Sequence, residues 1–195
     1  MKFVLATKNK GKVSELRKIL QDSEIVTMTE AGFDEDIVED GSTFEENALI
    51  KARAVCSALG TAAIADDSGI EVYALDMAPG IYSARYAGEG ATDEDRVIKL
   101  LSELEGKDDR RARFVCAAAL CMPDGREAVC KGVIEGVVLQ SPRGDGGFGY
   151  DPVFKPIGFD KTVAEMSGDE KNEISHRAKA FMALKETIEK LKKQG

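Results

Sequence analysis

The chain has one histidine in 195 residues and no tryptophan. His/Cys metal clusters are therefore nearly excluded, and Ser-His-Asp hydrolysis could rest only on His176. The four cysteines, at 56, 116, 121 and 130, include no Cys-x-x-Cys pair, so a zinc site is not expected and small buried apolar roles are. No apolar run approaches the ~18 residues of a membrane helix. The opening Met1-Lys-Phe-Val-Leu-Ala-Thr-Lys8 has too short an apolar core for a secretory signal, so the cytoplasm, with no membrane partner, is the expected location. An excess of basic charge is also missing: the net charge is −8, which argues against a general nucleic-acid binder. There is no internal repeat, low-complexity stretch or linker. A single domain over residues 1–195 is expected, large enough to bury a core.

What is present begins with a short apolar run, residues 61–65, ending in Asp66-Asp67-Ser68-Gly69. This reads as a buried strand stopped by a glycine-containing turn. Carboxylates at a strand end suit a hard divalent cation or a water, and are costly to bury without one. Upstream, residues 2–6 read as a strand, 7–11 as a polar turn, and 11–21 as a helix with Val13, Leu16, Ile19 and Leu20 at helical spacing. A strand over 25–29 and an acidic loop over 34–41 follow. Thr43 and Glu46 form a capping-box pattern for a helix to Leu59, on which Asn47 and Lys51 share a face. Thr92 can cap a helix carrying Val97, Ile98, Leu100, Leu101 and Leu104. Residues 113–122 and 127–139 read as a hairpin around Pro123-Asp124-Gly125. Residues 143–152 form a glycine-rich loop, and 175–193 an amphipathic helix with Ala178, Phe181, Met182, Ile188 and Leu191 on one side. Alternating strands and helices followed by a hairpin predict an α/β fold with a mixed sheet.

Four further segments carry chemistry. Thr7-Lys8-Asn9-Lys10-Gly11-Lys12 joins a strand to a helix start, where backbone N–H groups, the helix dipole and lysines suit phosphate oxygens. It is not a Walker loop, because Val13 stands where Ser or Thr is needed. Glu39 and Asp40 could bring a carboxylate to the cation of Asp67. Phe148-Gly149-Tyr150-Asp151 offers a ring to stack on a base and a carboxylate to accept from a base N–H. Ser175-His176-Arg177 stands at a helix start, where cationic residues oppose the dipole. Each segment taken alone also has an ordinary reading, as a solvated turn, an exposed face, a core plug or a cap.

Taken in order, the segments Ala6-Thr-Lys-Asn-Lys-Gly-Lys12, Glu39-Asp-Gly-Ser-Thr-Phe-Glu-Glu-Asn-Ala48 with Lys51-Ala52, Ala65-Asp-Asp-Ser-Gly69, Ala78-Pro-Gly-Ile-Tyr-Ser-Ala-Arg-Tyr86, Gly146-Gly-Phe-Gly-Tyr-Asp-Pro152 and Ser175-His-Arg177 resemble the inosine triphosphate pyrophosphatase family. The resemblance implies an elongated two-lobed α/β fold with a cleft between lobes, a homodimer, and one Mg2+ per subunit. It implies hydrolysis of non-standard purine nucleoside triphosphates (ITP, dITP, XTP) to monophosphate and pyrophosphate. By position, Thr7, Asn9 and Lys12 would hold the triphosphate with Lys51 assisting from its helix, and Lys8, Lys10 and Gly11 would also bind substrate. Glu39 and Asp67 would position the metal, and Asp67 would also activate water. Ser68 would touch the substrate, Phe148 would stack on the purine, and Gly149, Tyr150 and Asp151 would shape its pocket. Lys171, His176 and Arg177 would complete binding, the last two at the 6-oxo edge. The chain departs from the family pattern at Tyr73 and at Asp76-Met77, beside the motifs rather than in them.

The chemistry agrees with this implication. Displacement at phosphorus needs charge neutralisation and an aligned water more than covalent catalysis. Donors aimed at a purine C6 carbonyl are left unpaired by an adenine amino group. A nucleotide sensor without turnover, or an enzyme of modified pyrimidine nucleotides, are the competing readings.

Overall fold

The computed structural model describes residues 2 to 192. Its six strands are β1 (Lys2–Leu5), β2 (Glu24–Thr27), β3 (Ala63–Val72), β4 (Arg111–Cys121), β5 (Glu127–Val138) and β6 (Phe154–Pro156), in sheet order β2-β1-β3-β4-β5-β6. The helices are α1 (Lys10–Ile19), α2 (Phe44–Leu59), α3 (Asp93–Glu103), α4 (Gly168–Ile174) and α5 (His176–Lys192). β1 pairs in parallel with β2 and β3, whereas β5 and β6 are antiparallel, so the sheet is mixed. This is the α/β class expected. Among the described residues, no helix is long and apolar enough to cross a membrane.

The chain divides into two compact units, each with its own core. The first comprises Met1–Asp67, Cys116–Gly132 and His176–Gly195. Its core gathers Leu5, Leu16, Ile64, Leu120, Phe181 and Leu184, contributed by three strands and by α1 and α5. The second comprises Ser68–Val115 and Val133–Ser175, and packs Ile70, Val72, Leu100, Phe114, Val153 and Phe154.

Several local expectations need correction. The segment Asp66–Gly69 is not a turn, because β3 runs through it from Ala63 to Val72. Gly69 packs so tightly that an added Cβ would lie 2.3 Å from Ser83 Oγ and 2.4 Å from the Gly80 carbonyl oxygen, so it serves close packing in an extended strand. Helix α1 starts at Lys10, because Asn9 is its cap and accepts from the Lys12 N–H. Thr43 caps α2 as expected, but Glu46 folds back one residue further, onto the Ser42 N–H and hydroxyl. On α3 Ile98 is exposed, and on α5 Met182 is exposed while Ala180 and Leu184 are buried. The buried stripes run along Val97-Leu100-Leu104 and Phe181-Leu184-Ile188, at three-to-four spacing. Strand β6 and helix α4 lie in segments to which no element was assigned from sequence. Lys193, the last residue of the expected terminal helix, lies outside the described residues.

Candidate active site

In the first unit the site follows from strand order. β1 has β2 on one side and β3 on the other, so the chain reverses direction of progress at β1. Loops leaving the carboxyl ends of strands at such a switch point form the usual ligand crevice of parallel sheets. The register Val4↔Ala63 and Leu5↔Ile64 brings residues 7–12 and the pair Asp66-Asp67 out side by side. The Ala6 N–H donates to the Ile64 carbonyl at 2.8 Å and holds that alignment.

Adjacent strand residues point to opposite faces, so Asp66 and Asp67 have different neighbours. Asp66 is fully buried. It accepts from Arg177 Nε at 3.2 Å and pairs with Lys12 Nζ at 3.0 Å, while Arg177 Nη1 reaches Glu15 at 2.5 Å. Burial opposes ionisation of Asp66, but Lys12, Arg177 and Lys51 outweigh it and hold its carboxyl well below the usual range. Arg177 is likewise opposed by burial and held charged by Asp66 and Glu15. Asp66 Oδ1 is buried with no hydrogen-bond partner.

Asp67 Oδ2 accepts from Asn47 Nδ2 at 3.1 Å, and its Oδ1 lies 3.6 Å from Lys51 Nζ. Lys51 also donates to Glu39 Oε2 at 2.6 Å, so one ammonium bridges the two acids. Asp40 is exposed, and Glu39 is the acid of the loop that faces Lys51. Burial pushes Asp67 above the ordinary carboxylate value, a shift that Lys51 and Lys12 only partly offset. Lys51, disfavoured by burial, is nonetheless raised by Asp67, Glu39 and Asp66.

The rest of the lysine-rich segment is more open. Lys8 is exposed and pairs with Asp36 at 2.7 Å, Thr7 accepts from the Asn9 N–H at 3.2 Å, and Lys10 and Gly11 open α1. The structure thus brings Lys12, Lys51, Glu39, Asp66 and Asp67 into one charged cluster. His176, at the start of α5, is buried.

Among the described residues there is no group of three or more His, Cys, Asp or Glu side chains placed to hold a metal. Glu39 and Asp67 supply two hard carboxylate donors joined through one ammonium. Such a pair fits a magnesium-type ion, which keeps several waters and takes few protein ligands.

In the second unit the glycine-rich loop is built around Asp151. Its Oδ2 accepts from Lys171 Nζ at 2.6 Å and from the Phe148 N–H at 3.0 Å. A Cβ on Gly147, which has φ 73°, would lie 2.1 Å from that same oxygen. Lys171 stands over the Phe148 ring, 4.6 Å from its centroid. Tyr150 is buried and donates to the Ser83 carbonyl at 2.9 Å, and the Gly149 N–H donates to Asp93 at 2.7 Å. Ser68 is half-buried on β3. The loop therefore presents a half-buried ring on a hydrogen-bonded frame, in which Asp151 acts first as a tether.

Sequence reasoning assigned no role to Glu15, Asp93 or Ser83, and Asp66, read with Asp67 as a carboxylate suited to a cation or a water, is instead paired with Lys12 and Arg177. Glu15 had a faint signal, three residues after Lys12 on one helix face. The contacts of Asp93 and Ser83 join segments 56 and 67 residues apart, and nothing local announces them.

A family model described as the Ham1 family matches residues 3–187. The dITP/XTP pyrophosphatase of Bacillus subtilis strain 168 is 47% identical over 190 residues, covering 95% of this chain and 96% of its own. That of Staphylococcus epidermidis RP62A is 46% identical over 187 residues, covering 96% of both chains. The structure of the Staphylococcus aureus Ham1 protein superposes with a TM-score of 0.88 at 44% identity, covering 97% of this chain and 98% of the other. Identity at this level, spread over nearly the whole length and matched by the fold, makes the chain a member of the Ham1 family.

Proposed function

We propose that this protein hydrolyses non-standard purine nucleoside triphosphates (ITP, dITP, XTP) to the monophosphate and pyrophosphate, and so clears them from the nucleotide pool. The observation that carries the reading is Asp67, a buried carboxylate of raised proton affinity set among Lys51, Asn47 and Glu39. A carboxylate of raised proton affinity, held beside cations, is equipped to take a proton from an attacking water. Relatives named dITP/XTP pyrophosphatase support the substrate class.

In this mechanism the α1 entry (Thr7, Lys8, Asn9, Lys10, Gly11) and Lys12 receive the triphosphate, and Lys51 neutralises charge beside Asp67. Asp67 orients the water and accepts its proton, with Ser68 against the substrate. A magnesium ion at Glu39 and Asp67, one per subunit, would supply charge neutralisation at the phosphates. Phe148 stacks on the purine; Gly149, Tyr150, Asp151 and Lys171 hold and flank that ring. His176 and Arg177 serve the 6-oxo edge. The Arg177 side chain is only 2% exposed and engaged by two acids, so it reaches a base only by exchanging one of them for substrate. Residues 1–195 act as one catalytic domain, in a cytoplasmic homodimer.

The test is a turnover panel of ITP, dITP, XTP, ATP, GTP and dUTP with and without magnesium, with products identified. IMP plus pyrophosphate from ITP is expected. Inosine diphosphate plus orthophosphate, or preferential dUTP turnover, would reject the reading. Size-exclusion chromatography with light scattering tests the dimer.

A further inference from the structure

We infer that Asn47 is a positioning residue for the reaction, an amide clamp that sets Asp67 against the acidic loop carrying Glu39. Its side chain is 1% exposed, on the second turn of α2. Its Oδ1 accepts the Gly41 N–H at 2.9 Å, and its Nδ2 donates to Asp67 Oδ2 at 3.1 Å. Only this orientation of the amide satisfies both partners, since one is a donor and the other an acceptor. The clamp also explains why residue 41 is glycine. A Cβ there would lie 2.7 Å from Asn47 Oδ1 and 2.8 Å from Glu46 Cβ, so any other residue would wedge the loop off the helix. Glu39 sits two residues before Gly41 and meets Lys51, one helical turn after Asn47. One turn of α2 thus holds both acids: Lys51 through charge, Asn47 through directional hydrogen bonds. An ammonium attracts both carboxylate oxygens, whereas the amide donor to Oδ2 is directional and favours the arrangement in which Oδ1 faces Lys51.

The inference rests on the proposed pyrophosphatase reading, and its test separates the two. Asn47→Ala and Asn47→Asp are compared with wild type for ITP kcat and KM, inhibition by inorganic pyrophosphate, and amide exchange of Gly41. Asn47→Asp keeps the size and the acceptor for Gly41 but turns the donor facing Asp67 into an acceptor, so it covers the case in which the alanine variant does not fold. Loss of a hydrogen bond to a charged group predicts a fall in kcat of about ten- to hundredfold in both variants. KM and the pyrophosphate inhibition constant should stay within about threefold, because Lys12 and Lys51 remain. Gly41 should exchange slowly in wild type and Asn47→Asp, and fast in Asn47→Ala. Wild-type kcat in Asn47→Asp would overturn the inference, as would a loss of pyrophosphate inhibition parallel to the loss of kcat. A wild-type protein that leaves ITP intact would instead overturn the functional reading, while the Gly41 exchange pattern would still report the clamp.

Discussion

Replacing Lys51 with methionine should destabilise the protein in a way that depends on pH. Methionine retains most of the aliphatic stem and removes the ammonium between Glu39, at 2.6 Å, and Asp67, at 3.6 Å. At an effective dielectric constant near 20, the Lys51–Asp67 attraction is about 4–5 kcal/mol. Relief of the burial cost of the ammonium offsets part of this, and a buried acid stripped of its partner leaves a net loss of about 3 kcal/mol. The Glu39 arm adds less, because that side chain is 33% exposed and screened by water. For a chain of this length the loss corresponds to a fall in Tm of about 6–12 °C. Asp67 already has a folded pKa above 3.8, because burial outweighs its cationic neighbours. An acid raised in this way binds its proton more tightly folded than unfolded, so its contribution declines as pH rises from the unfolded value through the folded one. Removing Lys51 lifts the folded value further. The deficit of Lys51→Met should therefore be smallest near pH 4 and grow toward pH 7. Thermal unfolding of both proteins in EDTA, from pH 4 to 8, measures it. A deficit of constant size across that range, or none at pH 7, would refute the electrostatic account.

Three further outcomes are expected. Asp67→Asn should lower kcat for ITP by about 10²–10⁴-fold, the usual range for a lost general base, with substrate binding by calorimetry largely kept; retained turnover rejects Asp67 as proton acceptor. Gly69→Ala should cost about 1–3 kcal/mol or more by denaturant unfolding, since a Cβ there meets the Gly80 carbonyl oxygen at 2.4 Å. Adding Ser83→Ala should restore only part of that, because the carbonyl clash remains. The Cys116 and Cys121 thiols are pushed up by burial, Cys121 to about 12, so at pH 8 native protein should show far slower iodoacetamide labelling there than unfolded protein, by peptide mass spectrometry. Fast native labelling of Cys121 would contradict its buried placement.

Much of this protein is local in origin and could be read from residue order. The periodicity of Leu16 and Leu20, the capping residues Thr43 and Thr92, and the Pro123-Asp124-Gly125 turn specify elements through neighbours a few residues away. Asp67, Lys12, Lys51 and Glu39 were also recognisable, because they lie in segments that in their order along the chain resemble a known family. The turn expected at Asp66–Gly69 failed for the opposite reason. Two acids, a serine and a glycine read as exposed locally, and only Lys12, Arg177, Asn47 and Lys51, brought in from elsewhere, make an extended buried strand tolerable there.

The sequence by itself determined the α/β class, the family and the inventory of charged and aromatic groups, because these depend on composition, spacing and order. Tertiary structure alone decided which acid faces which cation. Asp66 is bound to Arg177 across 111 residues of chain, Asp151 to Lys171 across 20, and Glu39 to Lys51 across 12. Nearby cations hold Asp66 low against burial, whereas burial outweighs the cations at Asp67; both effects act through space and leave no periodic trace along the chain.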